Sequence, residues 1–95
     1  MDRTIVVGLG RSGIGAGRLL HHNGIPVSVI ERGNTPQDEE RAAPLRQQGI
    51  EVALGLPLEP ESFQPWHGRF DTVVIGPGIA WDHPTLNALR SQGIR

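Results

Sequence analysis

The apolar run Thr4–Val7 (TIVV) leads without a break into Gly8-Leu9-Gly10-Arg11-Ser12-Gly13, and a helical pattern follows at once. A G-x-G-x-x-G held between a strand and a helix is a demanding arrangement. The first glycine permits a tight turn, the second lets a ligand approach the backbone, and the third lets the helix pack close on the strand. The N–H groups of Arg11, Ser12 and Gly13 then face an anion from the positive end of the helix dipole. A plain strand–turn–helix would need the glycines for packing alone; a phosphate cradle centred on Gly10, Arg11, Ser12 and Gly13 is the reading favoured here.

The rest of the chain repeats the alternation. Pro26–Ile30 (PVSVI), Glu51–Leu54 (EVAL) and Asp71–Ile75 (DTVVI) are short and rich in β-branched residues, as strands covered on both faces are. Ser12–Asn23 is expected as a helix whose small face, Gly13, Ala16, Gly17 and Leu20, lies on a sheet, with Asn23-Gly24 as its stop. Asp38–Gln48, led by Pro36 and an acidic first turn, predicts a second helix ended by Gly49, kinked or split at Pro44. Gly55–Gly68 reads as loop with a turn of helix near Glu61–Phe63. Pro84–Gln92 predicts a third helix, capped by His83 and stopped by Gly93. The fold class is therefore α/β: a Rossmann-like, doubly wound parallel sheet, strand order 3-2-1-4 under right-handed crossovers. Gly93-Ile94-Arg95 falls where a fifth strand would begin, so that strand is truncated and the 95 residues are expected to form a single domain of a longer protein.

Composition narrows the chemistry. The chain has no cysteine, which excludes a disulfide framework and a thiolate metal site. All nine basic residues are arginine, so no lysine-bearing P-loop and no Schiff-base amine are available. Net charge is −1 with both signs scattered, which gives no nucleic-acid footprint. No apolar run is long enough for a membrane-spanning helix, and the first residues do not form a signal peptide, so a cytoplasmic domain is expected. The four histidines form no ligand constellation, and no metal is expected. Ser12 sits in the glycine turn and not in a nucleophile elbow, so no catalytic residue is assigned. Trp66 and Trp81 read as packing or interdomain residues.

Two further places can meet a ligand. Glu31 ends the second strand, where an acid in dinucleotide folds accepts bonds from a ribose diol; a carboxylate there can equally accept from the imide N–H of a uracil. Arg32 beside it either stacks on a base or is solvated. Gly76-Pro77-Gly78 follows the fourth strand at the topological switch point, where open α/β sheets bind ligands, or is simply a tight connection. The glycine turn with Glu31 would serve an NAD(P)-binding domain of an oxidoreductase or nucleotide-gated regulator equally well. A flavodoxin-like interaction module without nucleotide is a third possibility.

Val6-Val7-Gly8-Leu9-Gly10-Arg11-Ser12-Gly13, and Ile75-Gly76-Pro77-Gly78-Ile79 running on to His83-Pro84-Thr85-Leu86, resemble the N-terminal domain of the Mur ligases of peptidoglycan synthesis. The match runs in order over nearly the whole chain and is weakest between Asn34 and Gly68. The resemblance implies a substrate, UDP-N-acetylmuramoyl-L-alanine, in place of a nicotinamide cofactor. It implies that Arg11, Ser12 and Gly13 hold the diphosphate with Gly10 giving clearance, that Glu31 and Arg32 face the uracil, and that Gly76, Pro77 and Gly78 form the adjoining wall. It also implies an ATP-dependent, amide-forming ligase whose ATP loop and Mg2+ ligands lie in a central domain outside this chain. That central domain and a C-terminal domain would be its partners, and the 95 residues alone would not turn over. Family members commonly carry an aspartate and a small polar residue where this sequence has Glu31-Arg32-Gly33.

Overall fold

The computed structural model describes residues 3–66, 68–76, 83–91 and 93–94. The chain runs β1 (Arg3–Val7), α1 (Arg11–His22), β2 (Val27–Glu31), α2 (Pro36–Gln47), β3 (Glu51–Leu54), a 3-10 helix (Pro60–Trp66), β4 (Phe70–Ile75) and α3 (Pro84–Ser91). The strands form one parallel sheet in the order β3-β2-β1-β4, as the crossover rule predicts. Val7 pairs with Ile30 on one side and Ile75 on the other, so the ends of these three strands lie level.

Alternation along the strands divides the core in two. Val6, Val27, Val29 and Val52 point to one face and pack with Leu9, Ala42, Leu45 and Ile50, beneath α1 and α2. Ile5, Val7 and Ile30 point to the other and pack with Phe63, Trp66, Phe70 and Leu89, beneath the 3-10 helix and α3. Phe63 and Phe70 stack with ring centroids 5.5 Å apart. Helices on both faces make the sheet doubly wound, as expected. Ile94 lies outside any strand, and its N–H donates to the Leu89 carbonyl at 3.0 Å.

Two local expectations are corrected. Pro44 does not split α2, which is continuous from Pro36 to Gln47. The helix is held at both ends of the proline's gap: a capping box joins Thr35 and Asp38 at its start, and buried Ala42 and Leu45 anchor it on the sheet. The segment after β3 carries more than one turn of helix. Pro60–Trp66 is 3-10 throughout, because buried Ser62, Phe63 and Trp66 fix it to the sheet and the Ser62 hydroxyl donates to the Pro57 carbonyl at 2.6 Å. His83 caps α3 as read from the sequence, its Nδ1 accepting from the Thr85 N–H at 3.1 Å.

Candidate functional site at the carboxyl edge of the sheet

Each glycine of the turn has its own physical reason. Gly8 has φ +107°, a conformation that side chains rarely adopt, and its N–H donates to the Ile30 carbonyl at 2.8 Å. A Cβ at Gly13 would collide with the Gly8 carbonyl oxygen and touch Val6, so the third glycine is what seats α1 on β1. Gly10 is different. Its φ is −82°, and a Cβ built there meets nothing within 4 Å. Among the described residues, neither backbone conformation nor packing demands a glycine at that position. What glycine does supply is clearance on an exposed face.

Gly10 is also the N-cap of α1, and with no side chain it makes no capping bond. The N–H groups of Arg11, Ser12 and Gly13 therefore have no acceptor within the helix. Gly10, Arg11 and Ser12 are exposed. A hollow of about 340 Å³ opens beside them, lined by Leu9, Gly10, Arg11, Ile14 and Arg41. Arg41 reaches it from α2, its side chain 46% exposed and 3.9 Å from the Asp38 carboxylate. The sequence reading missed Arg41. The face α2 presents is set by only Asp38, Ala42 and Leu45, too few buried residues to give a clear stripe beforehand.

Glu31 lies at the same edge, half-buried, and both its oxygens are engaged. Oε1 accepts from the Leu9 N–H at 2.9 Å and Oε2 from the Gly33 N–H at 2.9 Å. The acid expected to await a ligand thus also ties the glycine turn to the end of β2. Arg32 is exposed. Gly76 follows β4 directly, and the Val7–Ile75 register sets it beside Gly8. Pro77, Gly78 and Trp81 lie outside the described residues. The structure thus brings Gly10–Gly13, Glu31 and Gly76 to one edge and adds Arg41.

The remaining polar side chains do other work. No group of three or more His, Asp or Glu suited to a metal occurs among the described residues. Trp66 is a packing residue, buried, with its Nε1 donating to Glu51 at 2.8 Å. No helix among the described residues is long and apolar enough to cross a membrane.

Parallel strand order, helices on both faces and a glycine turn at the strand ends define a Rossmann-like domain. A solved structure titled as a putative oxidoreductase from Escherichia coli str. K-12 shares this fold, with TM-score 0.55 and 19% identity over 97% of this chain and 49% of its own. At that identity the likeness concerns the fold alone. Within the class, the chain belongs to the family described as Mur ligase MurD-like, N-terminal domain, which matches residues 2–95. It is 60% identical over its whole length to the UDP-N-acetylmuramoylalanine--D-glutamate ligase of Synechococcus sp. (strain CC9902), covering 21% of that protein. To the enzyme of the same name from Prochlorococcus marinus (strain MIT 9313) it is 62% identical over 99% of this chain and 20% of the relative. The chain therefore spans about a fifth of the length of these relatives. The family expected from the glycine turn and the Gly76–Leu86 segment is the family found.

Proposed function

We propose that this chain is the substrate-gripping domain of an ATP-dependent ligase that adds D-glutamate to UDP-N-acetylmuramoyl-L-alanine in the cytoplasm. The observation that carries the reading is the whole-length similarity to relatives named for that reaction. The geometry agrees with it in kind. The edge has an anion-accepting part, made of the Arg11, Ser12 and Gly13 N–H groups, the clearance at Gly10 and the charges of Arg11 and Arg41. It has an acceptor part in Glu31, which repels phosphate and suits the N–H of a uracil. A nucleoside diphosphate presents these two chemistries in the same sequence. Arg32 would lie against the base, and Gly76, Pro77 and Gly78 would wall the site beside β1.

The domain's share of catalysis is position: fixing the uridine diphosphate end leaves the alanyl carboxylate at a set distance for activation elsewhere. This chain has no lysine for a P-loop, and its described residues offer no group of three acids or histidines placed to hold Mg2+. We assign ATP and Mg2+ to the part of the relatives' length that this chain does not span, and derive no phosphoryl step from it.

A nitrogen–proton NMR titration with UDP and, separately, NAD tests the reading. UDP should move the amides of Gly10–Gly13, Glu31 and Gly76, with NAD leaving them in place. A preference for NAD, or no response to either, would overturn it.

A further inference from the structure

We infer that Glu31 is a positioning residue for the diphosphate, acting through the glycine turn, in addition to whatever it offers a base. The inference rests on the uridine-diphosphate reading above. Among the described residues the turn has few ties of its own. Gly8 is held by one bond to Ile30, and Gly10 is exposed and uncapped. Between them, Leu9 is fixed from two directions. Its side chain is fully buried in the core beneath α1 and α2, and its N–H is held on Glu31 Oε1 at 2.9 Å. The other oxygen is held by Gly33 at 2.9 Å, so the carboxylate is braced between its own strand end and the turn. The peptide planes that follow Leu9 carry the N–H groups of Arg11, Ser12 and Gly13. Their aim is therefore set in part from Glu31.

Two physical effects of Glu31 on a diphosphate have opposite signs, which makes the inference testable. By charge alone the carboxylate repels phosphate, so removing the charge should tighten UDP binding relative to uridine. By position it aims the anion-accepting N–H groups, so removing it should weaken UDP relative to uridine. Glu31→Gln sets the two against each other, so the sign of the change shows which prevails. Glutamine keeps the length and loses the charge, but it has one acceptor oxygen, so one of the two main-chain N–H groups is left facing an amide NH2.

Calorimetric titration of uridine and UDP into the wild-type chain and E31Q gives the ratio of the two affinities. We expect the preference for UDP over uridine to fall about tenfold in E31Q, the scale of one misdirected charge-assisted hydrogen bond. A preference unchanged or increased, with only uridine affinity lost, would show a base contact without a positioning role and overturn the inference while leaving the uridine-diphosphate reading intact. No UDP binding by the wild-type chain would overturn both. If E31Q does not fold, E31D gives the same readout: it keeps the charge and shortens the reach by one methylene. Its UDP preference should fall as well, and an unchanged preference there would overturn the inference.

Discussion

Gly10 and Gly13, three residues apart in one turn, carry opposite burdens. The hydrogen at Gly13 occupies space that a methyl would share with the Gly8 carbonyl oxygen, so Gly13→Ala must lift α1 off β1. We expect it to cost about 1–3 kcal/mol, read as a lower urea midpoint. Gly10→Ala meets open space, and its cost in stability should stay under about 1 kcal/mol, the loss of a glycine N-cap. Under the proposed function its UDP affinity should nevertheless fall about tenfold, because the methyl would stand where the phosphate is proposed to approach. A G10A chain that binds UDP normally would remove the phosphate cradle from this turn. The glycine spacing was legible in the sequence because each glycine answers a local steric demand. The second task of Glu31 was not, since its partner is a main-chain N–H 22 residues away, and no residue type advertises that. Arg41 was hidden for a related reason: its place at the hollow depends on how α2 is rotated.

At the scale of elements, the strands were readable almost to the residue, because β-branched runs bounded by glycine leave little choice. Glu51–Leu54 stands where the pattern put it, and the other three strands shift by a residue at one or both ends. The helices were less so. In α2 a proline at an interior position argues locally for a break, while a capping box and two buried anchors argue for continuity, and the tertiary terms win. The cost should still be present. Pro44→Ala restores an N–H toward the Glu40 carbonyl and removes the ring clash, so we expect a higher melting temperature, the gain held below about 3 kcal/mol by a looser unfolded chain. Thr35→Ala should act the other way, by about 1 kcal/mol, since it removes the side chain that accepts from the Asp38 N–H. The full extent of the 3-10 helix lay beyond reach from sequence because its two prolines, with Pro57 before it, and its lack of period read as loop around a single turn, and buried Phe63 and Trp66 decide otherwise.

Across the whole molecule, one polar cluster joins elements that are distant in the chain. Glu51 at the start of β3 accepts from the Ser28 hydroxyl at 2.6 Å and from Trp66 Nε1 at 2.8 Å. Arg3 donates to Ser28 at 2.9 Å and lies 4.0 Å from the Glu51 carboxylate. The Ser28 bond is the chief influence on Glu51 and, with help from Trp66, Arg3 and Arg69, holds its carboxyl below the ordinary 4.5 against the opposing effect of burial. A depressed carboxyl stabilises the folded state above its unfolded value and loses that contribution as pH falls through the folded one. The chain should therefore lose stability below about pH 4.5, and Glu51→Gln should flatten that acid limb. Urea unfolding of both proteins from pH 6 to pH 3 checks it; identical acid limbs would show that the cluster contributes nothing.

That cluster sits where the strands begin, and the glycine turn, Glu31 and Gly76 sit where they end. The sheet thus separates two kinds of tolerance. Substitutions in the Glu51 cluster bear on how the domain survives acid, whereas the residues proposed to meet a ligand lie at the other rim, with the length of a strand between them. Descendants of such a chain can drift into a new climate through Arg3, Ser28 and Glu51 without touching the proposed ligand edge.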